Sequence, residues 1–566
     1  VTTFQHIVCL TCGHVQAGIV HSITCEQCGS AWLDARYDYE KVKGRWSATA
    51  DQAPSHLLKG EYSLWRYSDL LPISQPDPDI SMGEGFTPLR RLHQYERLFN
   101  HDVIFVKDER YMPTNSFKDR QAALSVTAMK QAGVKACVLA STGNAGVAYA
   151  AYTARAGIKL WLFLTSLVPP EKMREVALYG AQVIKVSGTY DETKAVASRF
   201  AQSKGLQLDQ GAKTIPAKES MKTIAFEIAE QLGLAFNQQK GIWVAPDWYV
   251  QSVSGGIGPI GVWKGFNELF QMGLIDKMPR LALIQAAGCA PMVKAFEAGK
   301  READAVIPRT LVHVLATGDP GFAYNLLYDA VMSNGGVMTS VEDGQTFSAM
   351  RQLAEKAGMS VEPATAVAFA GLEKLIKQGT IQKHEVVVIN VSGHTFPAES
   401  HILGDQYDKS VFNIQVQDPA ITAEPNEIEN IGIHTDKGTN DKQPIILIID
   451  DNHADLQLAR KMLQADHYTI IEADSGRDGL KAIYQHHPDL IVLDLMLPDV
   501  DGFAILETLQ NDPALREIPV VVMSAKTLTA DEIQVLQTQI RARIEKTLIN
   551  RQLFRDIIKQ KLMDTH

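Results

Sequence analysis

The sequence predicts an α/β protein with mostly parallel sheets, divided into more than one domain. Three observations predict it. From about residue 80 to 400, short apolar runs of strand length alternate with helix-length patterns, as in strand–helix–strand units around parallel sheets. The chain has 566 residues, more than a single hydrophobic core ordinarily serves. The alternation stops near Asp405, gives way to polar, turn-rich sequence, and resumes at Pro444 with a fresh series of strands. The expected division is 1–40, 41–404, a flexible tether over 405–443, and 444–566.

Hydrophobic residues make up 45% and charged residues 21% of the chain, the balance of an ordinary globular protein. A formal net charge of −10 argues against a nucleic-acid-binding surface. No apolar run reaches spanning length and no charged-then-apolar leader opens the chain. Four of the six cysteines fall in two close pairs, metal spacing in a reducing compartment rather than a disulfide framework, so the cytoplasm is the expected compartment, with no membrane partner. A homodimer is the plain expectation, two-fold pairs being the commonest assemblies of such chains.

Taken in order, the first element is a pair of knuckles, Cys9-Leu-Thr-Cys12 and Cys25-Glu-Gln-Cys28, each followed by glycine (Gly13, Gly29). The glycines let the backbone turn so that both thiolates of a pair face one ion. Four soft sulfur ligands suit a closed tetrahedral Zn²⁺ site, which leaves no open position and so has a structural role. Aromatic residues from Tyr37 to Tyr67, including Trp46, are expected to pack this ribbon on the main body.

In the body, Ile104–Asp108 reads as a strand, and Pro113-Thr-Asn-Ser-Phe-Lys-Asp-Arg120 leads into a helix-like run over 121–131. Lys118 sits at the mouth of that helix. An amine there can hold a carbonyl covalently if its pKa is lowered. Ala136–Ser141 reads as a buried strand, broken by Thr-Gly-Asn-Ala-Gly (142–146) before a helix over 147–156. A strand, a glycine turn and a helix N-terminus present free N–H groups to an anion. Further strands are expected at 160–164, 183–186, near Trp243, at Trp248–Gln251, and near Leu281 and Val386, with helices over 170–179 and 191–202. The loop Ser252-Val-Ser-Gly-Gly-Ile-Gly-Pro259 follows one of these strands and could cradle a phosphate. Val386–Val391 ends in Ser392-Gly-His394, where α/β folds place ligands.

As a set, Gly83–Leu89, Ser116–Arg120, Ser141–Asn144, Arg155–Gly157, the loop 254–258 and Ser392–His394 resemble the fold-type II pyridoxal-phosphate enzymes, most closely the threonine synthases, over about residues 5–400. The resemblance implies two α/β subdomains and pyridoxal 5'-phosphate as cofactor. Lys118 would hold the cofactor aldehyde as an aldimine and Phe117 would line its ring. Asn144 would bond the phenolic oxygen. The amides of Ser254, Gly255, Gly256, Ile257 and Gly258 would take the phosphate, and Ser392 would face the pyridine nitrogen. Ser141, Thr142 and Arg155 would bind the amino-acid substrate. The implied reaction converts O-phosphohomoserine and water to threonine and phosphate. The chain departs from the family in having Ala145-Gly146 for Thr-Ser, Met112 and Asn115 for Asn and Gly before the lysine, and Gln121 for Gly. β-Replacement or elimination on another amino acid, such as phosphoserine, stays open, as does a non-catalytic amino-acid-binding signalling protein.

Beyond Pro444, strands ending in Asp450-Asp451, Asp494, Ser524 and Lys546 alternate with helical patterns. Parallel strand ends gather such groups at one crevice, and clustered carboxylates favour Mg²⁺. The set resembles a response-regulator receiver domain over about 444–563. That implies Asp494 as phosphoacceptor, Mg²⁺ on Asp450, Asp451, Asp494 and the Met496 carbonyl, phosphoryl contacts from Ser524 and Lys546, and a histidine kinase or other phosphotransfer partner.

Overall fold

The computed structural model describes residues 3–18, 24–47, 54–58, 60–165, 168, 170–237, 242–394, 411–415, 444–463, 468–486, 488–497, 500, 502–512, 515–516, 518–524, 542–545 and 551–563. The chain divides into two compact units, Val1–Ile433 and His434–His566. No helix among the described residues is long and apolar enough to cross a membrane.

The N-terminal ribbon is a three-stranded antiparallel sheet of β1 (Phe4–Cys9), β2 (Val15–Ala17) and β3 (Leu33–Tyr37), with β1 central. Ile7, Leu33, Ala35 and Tyr37 are buried in one core with Trp46, Tyr67, Phe226 and Trp243, as the aromatic pattern leads one to expect. Buried charges fix the docking. Asp34 pairs with Lys264 at 2.8 Å, and the Tyr37 and Tyr39 hydroxyls donate to Glu219 (2.9 Å) and Glu268 (3.2 Å). Lys264 and Glu268 lie on the helix Ile257–Gln271, which begins at the glycine loop.

The rest of this unit is built on β4 (Leu89–Arg91), β5 (Val103–Asp108), β6 (Ala136–Ser141), β7 (Lys159–Thr165), β8 (Gln182–Ser187), β9 (Gln207–Asp209), β10 (Trp248–Ser252), β11 (Arg280–Ala286), β12 (Val337–Val341), β13 (Val386–Val391) and β14 (Val411–Gln415). They form two sheets, ordered β12-β11-β10-β13-β5-β4 and β14-β8-β7-β6-β9. All pairings are parallel except β4 with β5. The central β13 buries Val387 to Val391 on both faces, Asn390 included, which is why it reads as a mostly apolar run rather than an alternation. These are the two α/β subdomains expected from the family resemblance.

Two expectations need correction. No strand forms at Trp243. Pro246 follows it closely, and the Trp243 ring instead stacks on Trp46 at 5.4 Å. The stretch 405–443 is not all tether, because Val411–Gln415 pairs in parallel with β8. Its Val-Phe-Asn-Ile-Gln pattern is a strand alternation hidden between polar, proline-bearing flanks. The remainder of that stretch lies outside the described residues.

The second unit is a parallel sheet ordered β16-β15-β17-β18-β19, from β15 (Ile445–Ile449), β16 (Thr469–Ala473), β17 (Leu490–Leu493), β18 (Val520–Ser524) and β19 (Ala542–Glu545). Apolar clusters cover both faces, and the order is that of a doubly wound fold with its ligand crevice beside the first strand. The sequence also carries a helical pattern over 530–538, which lies outside the described residues.

Candidate active site

The lysine loop is stitched to the end of β13. Ser116 bridges Gly393, Phe117 N donates to Ser392 O at 3.0 Å, and His394 N donates to Asn115 O at 3.0 Å. Asn115 has φ 60°, a left-handed conformation that glycine or asparagine tolerates. Asparagine in place of the family's glycine is therefore a benign departure. Thr114 donates from N and Oγ1 to Asp119 at 2.7 and 2.6 Å, closing the turn. The helix Lys118–Gln131 starts on Lys118 itself, three residues before the helical run read from sequence. Burial lowers the Lys118 ammonium to about 8 against the opposing pull of Glu362 and Asp209. The Nζ lies 4.5 Å from the Phe117 ring centre.

Lys118 opens into a cavity of about 470 Å³, a size suited to a cofactor with its substrate. Phe117, Asn144, Ser141, Thr142, the loop 254–258 and Ser392 line the same cavity. The helix Asn144–Ala156 opens on Asn144, earlier than the run 147–156 suggests, because Gly143 turns the chain at φ 144°. Ser141 Oγ accepts from Gly143 N and Gly146 N at 3.1 and 2.9 Å, and Thr142 Oγ1 donates weakly to Val314 O at 3.4 Å. In the glycine loop, Gly256 has φ 86°. A Cβ there would meet Leu327 at 3.1 Å, and one on Gly258 would meet Gln251 Nε2 at 2.5 Å. The loop is thus bare backbone at the head of a 15-residue helix, a cradle built for an anion. The donor set of buried amine, amide cradle and hydroxyls fits a phosphorylated aldehyde.

Arg155 is not brought to this site. Its guanidinium donates to the carbonyls of Ile80 (3.1 Å) and Ser81 (3.3 Å), in the last turn of a helix that carries it roughly 16 Å from Asn144. The reading of Arg155 as a substrate contact is therefore corrected; its spacing along one continuous helix was the reason. Of the two absent family hydroxyls, only position 145 lines the cavity. Gly146 faces the sheet, where a Cβ would lie 3.0 Å from Leu162.

Glu362, Thr365, Lys172 and Asp209 carry no motif in the sequence that marks them for this site. Glu362, 3% exposed, accepts from Asn144 Nδ2 at 2.6 Å and from Ser392 Oγ at 2.8 Å. Ser392 also lies 2.9 Å from Thr365 Oγ1. Lys172 donates to Asn144 Oδ1. Asp209, whose carboxyl burial raises, accepts from the Tyr149 hydroxyl at 2.6 Å. A lone acid before Pro363, which opens a helix, was the only signal for Glu362.

Residues 80–393 match the family described as pyridoxal-phosphate dependent enzymes. The chain belongs to that family. It is 36% identical over 390 residues to a threonine synthase of Methanocaldococcus jannaschii, covering 68% of this chain and 91% of that protein. A threonine synthase of Methanosarcina acetivorans is 32% identical over 394 residues, covering 69% and 91%. One from Synechocystis is 32% identical over 330 residues, covering 58% and 81%. Residues 446–558 match the response regulator receiver domain, so this pyridoxal-phosphate-dependent enzyme carries a receiver.

Two further clusters could hold metal. The sulfurs of Cys9, Cys12, Cys25 and Cys28 all lie within 4.8 Å of one another, with Cys9–Cys28 at 3.6 Å and Cys12–Cys25 at 3.7 Å. A tetrahedral zinc with ~2.3 Å bonds needs sulfurs about 3.8 Å apart. Gly13 and Gly29, at φ 75° and 71°, make the turns that achieve this. In the receiver, carboxylate oxygens of Asp450, Asp451 and Asp494 fall within 4.8 Å of one another, with Asp450 and Asp494 buried. Met496 N donates to Asp494 Oδ1 at 3.1 Å. Ser524 ends β18, and Lys546 lies outside the described residues.

Proposed function

We propose that this enzyme converts O-phosphohomoserine and water to threonine and phosphate, with Lys118 as its catalytic residue. The supporting observation is one cavity that joins an amine whose pKa burial lowers to about 8 to a glycine-rich cradle, in a chain related throughout its body to threonine synthases. When bound, pyridoxal 5'-phosphate supplies a sink for electrons at the substrate α-carbon. Lys118 carries the cofactor between turnovers and moves the proton at the α-carbon. The amides of Ser254 to Gly258 would hold the cofactor phosphate, Phe117 would line the ring, and Ser392 would face the ring nitrogen. Ser392 is held by Glu362, which also steadies Asn144 beside the phenolic oxygen. Ser141, Thr142 and the free N–H groups at the start of the Asn144 helix take the substrate carboxylate.

A second reading has support in the cavity wall. Ala145 offers no hydroxyl, and Arg155 is turned to the Ile80 and Ser81 carbonyls. A shorter phosphorylated amino acid such as phosphoserine carries its phosphate one carbon nearer the α-carbon and would not call on partners at these two positions. Phosphate release decides between them. The primary reading predicts threonine and phosphate from O-phosphohomoserine. Turnover of phosphoserine with none of O-phosphohomoserine would replace it.

The cysteine cluster is a structural zinc site and the acidic cluster a magnesium site in this proposal, with Asp494 as the phosphoacceptor for a histidine kinase. Acetyl phosphate with Mg²⁺ should label the full chain, and Asp494→Asn should abolish the label. Label persisting in that variant would move the acceptor elsewhere.

A further inference from the structure

Among the described residues, three lysines line the catalytic cavity: Lys118, Lys194 and Lys213. Lys118 has the role argued above. Lys194 is neutralised by Asp191 at 2.6 Å and lies over the Tyr190 ring. Lys213 has no carboxylate within salt-bridge distance among the described residues. Its Nζ sits 6.0 Å from the centre of the Trp32 ring, within reach of a cation–π attraction.

Trp32 belongs to the cysteine ribbon, yet it lines the same cavity. The metal knuckles set its position. Leu10, inside the first Cys pair, donates its N–H to Trp32 O at 2.8 Å, and Trp32 N donates to Ser30 Oγ, just past the second pair, at 3.2 Å. On its other side the Trp32 ring packs on Phe322, with centroids 5.4 Å apart. The next residue, Ala323, is among those a Cβ on Gly256 would meet, at 3.4 Å. Trp32 therefore stands at the glycine-loop end of the cavity. The short helix Gly211–Lys213 packs on the helix Ile257–Gln271 that the loop begins.

We propose that Lys213, held by the ribbon's Trp32, completes the phosphate cradle and pairs its ammonium with the cofactor's phosphate. The amides of 254–258 offer only partial charges, whereas the phosphate is close to a dianion. A full positive charge at the rim supplies what a helix N-terminus alone lacks. The ribbon then serves the active site as well as the fold. This rests on the pyridoxal-phosphate reading of the cavity.

The test is equilibrium binding of two aldehydes to the apo-protein, pyridoxal 5'-phosphate and unphosphorylated pyridoxal, followed by visible absorbance. Lys213→Met should weaken pyridoxal 5'-phosphate by about tenfold, the size of one charge-assisted contact, and leave pyridoxal unchanged. Trp32→Leu should shift the same ratio in the same direction by less. Both aldehydes weakening equally, or neither, would overturn the proposal. So would unchanged cofactor affinity with weaker inhibition by inorganic phosphate, because Lys213 would then serve the substrate's anion. If wild-type protein binds neither aldehyde at Lys118, the cofactor reading itself fails, a result separate from all of these.

Discussion

Lys118→Ala should lower turnover by at least about 10³-fold, the scale of a lost general acid–base group, while the protein stays folded. A lysine amine can both bond an aldehyde and move a proton at the α-carbon, and of the cavity's described lysines Lys118 is the one that burial brings toward neutrality. Its ordinary pKa would keep it charged and unreactive. Enclosure lowers it to about 8, so a usable fraction is neutral near physiological pH. The same shift has a stability sign. The folded pKa lies below the unfolded value, so wild type bears the cost of a buried cation below pH 8 and sheds it as pH rises from about 8 toward the unfolded value near 10.4. Against Lys118→Ala, whose chain lacks that cation, wild-type stability should therefore rise over this window, measured by denaturant midpoints at each pH.

The second large effect is expected two residues on. Arg120 is fully buried and donates to Glu109 at 2.8 and 2.9 Å, to Glu227 at 2.8 Å, and to Thr223 Oγ1 at 2.8 Å. Lys107 adds a second cation at 2.6 Å from Glu227, so two cations answer two carboxylates. This knot ties the lysine helix to β5 and to the helix Thr223–Asn237. Arg120→Ala leaves a buried carboxylate uncompensated, which costs about 3–5 kcal/mol. The denaturant midpoint of the catalytic unit should fall accordingly. Arg301→Ala, which breaks an exposed pair with Asp329, should leave it unmoved. Equal effects of the two would contradict the assignment of the knot.

Much of the site was legible because it is local. The lysine string, the glycine loop and the serine at the end of β13 each carry their chemistry within a few consecutive residues, and a parallel α/β fold brings strand ends together. What was not legible depends on partners distant in sequence. Glu362 acquires its role only from Asn144 and Ser392, which arrive from other elements. Arg155 was misplaced because a position on a helix says nothing of the helix's length until its start is known, and Gly143 starts this one early. Trp32 carries no signal of its own in the sequence; its place at the cavity depends on the ribbon's docking face, set by Asp34 and Lys264. In the fold, β14 was obscured by its polar flanks, and Pro246 denied Trp243 its strand.

The most direct test is chemical. Wild-type protein loaded with pyridoxal 5'-phosphate, reduced with borohydride, digested and weighed should show a phosphopyridoxyl group on the peptide bearing Lys118, with apo-protein loading faster as pH rises through about 8. No adduct, or an adduct spread over other lysines with Lys118 unmodified, would contradict the account.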